Sequence, residues 1–242
     1  MDLQKLTGYL RKAIQKYNMI EEGDKIAVGL SGGKDSLTLL MGLQKLSTFY
    51  PKKFDLAAIY VDLGIQNPEE KTHSISAMKD FCKQLDIPFY AVSTQIYEIV
   101  FEARKEKHPC SLCSKMRKGT LMEKALELSC NKIAYAHHLD DFIETSMMSL
   151  LVEGHYDCFL PVTKLNNSNL TVIRPMVCIH EREITGFAKR NKLPVFKNPC
   201  PADGYTKRQE TKEWIKKSEE HFPYIRENLN SALQKYFEEK GN

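Results

Sequence analysis

Long apolar runs are what this sequence most lacks. Nothing in it approaches the roughly 18 consecutive apolar residues of a membrane helix, and the amino terminus MDLQKLTGYLRK has no apolar core of a secretion signal. A cytoplasmic protein with no membrane partner is therefore expected. Charge of one sign is scarce too: 35 Lys and Arg stand against 31 Asp and Glu, a net of +4, so a nucleic acid would have to be met by a local basic patch. There is no repeat, no low-complexity tract and no clear linker. Two common nucleotide-loop spacings are also missing. No GxGxxG occurs at the main glycine-rich turn, and GxxxxGK[ST] would need Gly at Val28 and Ser or Thr at Asp35. The seven cysteines are odd in number and follow no secretion signal, which argues for reduced thiols and a metal site over a disulfide framework.

What is present centres on KIAVGLSGGKDS, residues 25–36. Residues 26–30 form a short apolar run, followed at once by Ser-Gly-Gly and an amphipathic segment, so the stretch reads as strand, loop and helix. Gly32 and Gly33 lack a Cβ, so positive φ is open to them and backbone N–H groups can approach an anion. Ser31 and Ser36 add hydroxyls, Lys34 adds a point charge, and the helix from Asp35 turns its positive dipole end to the same spot. Asp35 has the chemistry to hold magnesium. A bare glycine pair in such a turn is more often architecture alone; the full SGGKDS is the more specific signal.

Helical spacing is expected over residues 3–19, from the phosphate loop to about 47, and over 68–85, 116–128, 139–151, 181–191 and beyond 207. Strands are expected at 26–30, 54–61, 87–92, 132–136 and 170–173. Their alternation with helices implies an α/β, doubly wound, mainly parallel five-stranded sheet with right-handed crossovers. The organisation expected is an N-terminal helix (1–22), a catalytic domain (23–204) and a helical C-terminal extension (205–242). Asp62 ends the second strand, where doubly wound sheets place ligands, although a turn aspartate would look the same.

Two further constellations carry chemistry. Cys110 and Cys113 are spaced CxxC inside a basic stretch that includes Arg104, Lys105, Lys107, Lys115, Arg117 and Lys118. From spacing alone the pair suits a redox couple, half a zinc site, with His108 or water completing it, or part of an iron–sulfur site. Cys200 is braced between Pro199 and Pro201, whereas Cys82, Cys130, Cys158 and Cys178 lie among apolar residues and read as structural thiols. The second constellation is HHLDDFIET from His137, where paired aspartates at a helix start are at least helix caps.

SGGKDS resembles the phosphate loop of the N-type ATP pyrophosphatases, the PP-loop superfamily with an adenine nucleotide alpha-hydrolase-like fold. The ordered set SGGKDS, CSLCSKMRKG, HHLDDFIET, IRPM and FAKRNKLPV resembles the tRNA-cytidine 2-sulfurtransferases in particular. The resemblance implies that ATP is split to AMP and pyrophosphate, that the C2 oxygen of a tRNA cytidine is adenylated, and that sulfur replaces it. By position it implies nucleotide contacts from Leu30, Ser31, Gly32, Gly33, Lys34, Asp35, Ser36, Asp62 and His138. It implies catalytic roles for Asp35, Arg117, Asp140 and Asp141, and a [4Fe-4S] cluster on Cys110, Cys113 and Cys200. Where relatives carry a second C-terminal CxxC, this chain has Lys197 at the first position. The implied cofactors are ATP, Mg2+ and the cluster. Implied partners are tRNA and a sulfur donor such as a cysteine desulfurase or free sulfide, with a homodimer as one compatible assembly. The competing expectations are a sulfur-handling enzyme for another tRNA base or a small molecule, and an adenylating amide ligase with structural zinc.

Overall fold

The computed structural model describes all residues except 66, 105–108, 167, 197–199, 201–205 and 241–242. Helix α1 (Leu3–Lys16), capped by Asp2, precedes β1 (Asp24–Leu30), and the glycine loop then launches α2 (Lys34–Ser47). β2 (Phe54–Asp62), α3 (Pro68–Gln84) and β3 (Phe89–Ser93) follow. Asn67 caps α3 and Pro68 takes its first turn, where a missing N–H costs nothing. Next come α4 (Pro109–Glu127), β4 (Lys132–Ala134) and α5 (Leu139–Met148), then β5 (Val162–Lys164), β6 (Thr171–Ile173) and α6 (Glu181–Arg190). Two C-terminal helices, α7 (Lys207–Ser218) and α8 (Ile225–Lys240), end the chain. Among the described residues no helix is long and apolar enough to cross a membrane.

The strands lie in the order β3-β2-β1-β4-β6-β5, parallel throughout except for β5 against β6. The doubly wound architecture is as expected, but the sheet has six strands, not five. The extra one, β5, is only three residues long and partly exposed, too short to print an alternating pattern. The strand expected from residue 87 starts at Phe89. Pro88 has no N–H to give to a ladder. α4 begins at Pro109, seven residues before the expected start, so the CxxC pair lies within its first five residues. The segments Glu98–Ala103 and Ser149–Glu153 are π-helical.

Side chains of β1 alternate between two cores, as a strand buried on both faces requires. Ile26, Val28 and Leu30 join the larger cluster with α1, α2, α5 and α6, and Ile215, Leu233, Tyr236 and Phe237 bring α7 and α8 into that same cluster. Ala27 faces the smaller one, where Ala57, Ile59 and Ile133 meet Leu121 and Ala125 of α4. The small residues on that face let α4 lie close: a Cβ at Gly29 would stand 3.1 Å from Leu121.

Candidate functional site

β1 has β2 on one side and β4 on the other, so its carboxyl end is the switch point where a doubly wound sheet opens a crevice. A cavity of about 320 Å³ lies there. Leu30, Ser31, Asp35 and Ser36 form one part of its wall, Ser114, Arg117, Lys118 and Leu121 of α4 another. Tyr135, His137 and Asp141, from the end of β4 and the start of α5, complete it.

The loop is held by its own hydroxyls. Ser36 Oγ accepts from the Ser31 amide at 3.1 Å and donates to the Gly33 carbonyl at 3.1 Å, while Ser31 Oγ accepts from Gly33 N at 3.3 Å. Of the two glycines only Gly32 takes a left-handed φ, +74°; Gly33 is the extended N-cap of α2. Phe196 braces the turn from outside by donating its amide to the Gly32 carbonyl at 2.9 Å.

Lys34 Nζ lies 3.0 Å from Asp35 and 3.1 Å from Glu181, at the start of α6. Burial works against its charge, but the two carboxylates outweigh it and raise its pKa. Glu181 in turn receives Lys212 of α7 at 2.6 Å, so a lysine–glutamate–lysine chain ties the starts of α2 and α6 to the middle of α7. Asp35 Oδ1 is buried without a well-formed hydrogen bond and faces the Lys34 ammonium at 3.0 Å. A carboxylate oxygen beside the phosphate loop is the donor type that magnesium takes.

The paired aspartates have separate tasks. Asp141 lines the cavity, accepts from His138 N at 2.9 Å and holds Arg208 of α7 at 3.1 Å. His138 is the buried N-cap of α5, its Nδ1 accepting from Asp141 N and its Nε2 3.9 Å from Asp35. Asp140 is not a cavity residue. It accepts from Glu181 N at 2.7 Å and from Arg226 of α8 at 2.7 Å. Burial alone would raise its pKa, yet His180, the Glu181 amide and Arg226 hold it well below the usual carboxylate range. Asp62, also outside the cavity wall, is buried 2.6 Å from Lys71 and caps the turn at Gly64. These are the fold-building roles open to both from the start.

Three turns of α4 join the cavity to the cysteines. Cys110 and Cys113 sit within its first five residues, one exposed and one half-buried. The Cys113 thiol is raised in pKa by burial first and then by Cys200 and Cys110, against Arg117, so the three sulfurs and this guanidinium share one neighbourhood. Among the described residues no three His, Cys, Asp or Glu side chains are gathered tightly enough to hold a metal ion as they stand. The donor set itself, three soft sulfurs beside a cation that favours thiolate, fits a cluster. Lys105, Lys107, His108, Lys197, Pro199 and Pro201 lie outside the described residues. Arg117, given a catalytic role by the resemblance, and Lys118 of the same basic stretch both line the cavity.

Sequence reasoning gave His137 and Glu181 no part in the site. The doublet His137-His138 was the available signal, but the partners of both residues come from distant elements.

Residues 5–217 match the PP-loop domain family. The chain belongs to that family. The tRNA-cytidine(32) 2-sulfurtransferase of Pelobacter propionicus is 37% identical over 233 residues, 95% of this chain and 85% of the relative. That of Geobacter metallireducens is also 37% identical, over 95% of this chain and 89% of its own. Among solved structures, the U34-tRNA thiolase NcsA from Methanococcus maripaludis, with its [4Fe-4S] cluster, superimposes with a TM-score of 0.78 at 26% identity, over 97% of this chain and 79% of that one. The glycine turn of this chain is thus a PP-loop by family as well as by geometry.

Proposed function

We propose that the protein is an ATP-dependent tRNA sulfurtransferase that adenylates the C2 oxygen of a tRNA cytidine and exchanges it for sulfur. The observation that carries this is α4. One helix presents Cys110 and Cys113 within its first five residues and lines the nucleotide cavity with Ser114, Arg117 and Lys118 just beyond. An amide ligase or a simple nucleotide-binding module has no need of that coupling. A carbonyl oxygen is a poor leaving group, and attaching AMP to it makes it a good one.

The PP-loop amides and the α2 terminus receive the departing pyrophosphate, with Lys34 held charged by Asp35 and Glu181. Asp35 would hold magnesium, which supplies charge neutralisation at the phosphates when bound. Asp141, itself a cavity residue, holds Arg208 of α7, whose charge adds to the positive field. Arg117 stands between cavity and thiols and favours an anionic sulfur nucleophile. Cys110, Cys113 and Cys200 would hold the [4Fe-4S] cluster, whose fourth iron, free of protein sulfur, supplies a binding position for sulfide when the cluster is present. Sulfide, free or delivered by a desulfurase, is the proposed donor.

Mass spectrometry of tRNA nucleosides from cells with and without the gene tests the reading: 2-thiocytidine disappears without it. Unchanged 2-thiocytidine would refute it. Anaerobic reconstitution with iron and sulfide tests the thiols separately. Wild type binds about four irons per chain, and Ala at Cys110, Cys113 or Cys200 loses them; zinc alone in the site, or full iron in Cys200→Ala, would contradict the ligand set.

A further inference from the structure

His137 has no assigned part in the reaction, yet its position is defined on three sides. Val28 and Ala134 are paired across β1 and β4, and three residues beyond them stand Ser31, the first hydroxyl of the PP-loop, and His137. Both line the cavity. The imidazole packs 4.7 Å from the Phe159 ring and 5.7 Å from Tyr135. Behind it lies Arg174, 8% exposed, whose Nε donates to His137 Nδ1 at 3.3 Å. The same guanidinium is fixed by the Leu160 carbonyl and by Thr163 Oγ1 at 3.1 Å.

A guanidinium has no acceptor, so Nδ1 of His137 must be the bare nitrogen and Nε2 must carry the proton. No protein group among the described residues pairs with Nε2. We propose that Arg174 locks His137 in the neutral Nε2–H tautomer, and that this N–H is a fixed donor to a phosphoryl oxygen of the adenylyl group beside the PP-loop. His137 is on this account a catalytic residue and Arg174 a positioning residue. The proposal rests on the adenylating reading above and names a contact within it.

The charged surroundings agree from every side. Burial first, then Arg174, Arg208 of α7, Lys118 of α4 and His138 of α5, push the His137 pKa well below its ordinary value. The nearby carboxylates do not reverse this, since Asp141 is taken by Arg208 and Asp35 by Lys34. A group so placed does not shuttle protons; it donates one hydrogen bond at any working pH.

The test is nitrogen NMR of histidine-labelled protein, which needs neither tRNA nor cluster. His137 stays in the Nε2–H form from pH 6 to pH 8.5, and its N–H signal shifts on adding AMP but not on adding pyrophosphate. Titration of His137 near the ordinary value of about 6.5, the Nδ1–H tautomer, or a response to pyrophosphate alone would overturn the proposal. In turnover, His137→Leu slows AMP formation by about 100-fold, the loss expected for one oxyanion donor, whereas His137→Gln, which keeps an N–H near Nε2, retains most of the rate. Arg174→Met adds an acid limb to the pH profile that wild type lacks. Equal losses in Leu and Gln variants, with no new limb in Arg174→Met, would reduce His137 to a packing residue and also overturn it.

Discussion

At the amino-terminal end of β1, Asp24 is 4% exposed and Lys132 9% exposed, and every polar contact between them is made. Lys132 Nζ lies 2.6 Å from Asp24 and donates to the Met19 carbonyl at 2.8 Å; Asn131 and the Glu21 amide fill the remaining carboxylate positions at 2.7 and 2.6 Å. Some twenty ångströms along, about seven residues at a strand's rise, the carboxyl end is left incomplete. Asp35 Oδ1 and Glu144 Oε1 are buried without a hydrogen bond, faced by Lys34 at 3.0 Å and Lys212 at 4.0 Å, and Lys118 has no ion pair among the described residues. Groups of the same kinds are thus closed on themselves at one end and held open at the other. The closed end serves the fold. The open end is arranged around charges that arrive with ATP and magnesium.

That contrast is broken most severely from the closed end. Lys132→Met leaves Asp24 buried without its cation and should cost about 3–5 kcal/mol of stability, read by denaturant melts, while AMP formation per folded molecule stays as in wild type. A loss of stability below 1 kcal/mol would mean that the pair is not closed as described. Asp35→Ala is the mirror experiment. It should lower AMP formation by about 1,000-fold, as for a lost electrostatic contact in the transition state, with the melting temperature unchanged; a large drop in stability would make Asp35 a structural residue.

A smaller effect sharpens the comparison through pH. Burial pushes the Glu144 carboxyl up to about 7, with Lys212 opposing and Asp141 adding to the shift. Its native pKa exceeds the unfolded one, so native protein binds the extra proton. The cost of ionising it is absent below the ordinary carboxylate range, grows between about 4.5 and 7, and is complete above that. Glu144→Gln should therefore stabilise the protein at pH 8, on the order of 2 kcal/mol, and make little difference at pH 4.5. Equal effects at both values would show that Glu144 is not strained by burial.

How legible these ends were differs by physical cause. β1, the loop and α2 were readable because everything they need is local: an apolar run, a glycine where φ is +74°, and an amphipathic face. β5 was not, since three partly exposed residues against β6 leave no pattern. Asp140 and Asp141 are adjacent in sequence, but one helical step of about 100° sends one toward α6 and α8 and the other into the cavity. No local signal separates them. His137 needs Arg174, 37 residues away, and Asp141 needs Arg208, 67 residues away, so both functions belong to tertiary contacts. The cysteine spacing was plain from sequence, whereas the nearness of Cys200 to Cys113 is a tertiary contact.

The most direct measurement counts products. Anaerobically reconstituted protein is given ATP, magnesium, sulfide and unmodified tRNA, and nucleotides and tRNA nucleosides are quantified from the same tube. The account predicts one AMP and one pyrophosphate for each 2-thiocytidine formed, with no ADP. ADP and phosphate as the products, or AMP accumulating while every cytidine keeps its oxygen, would contradict it.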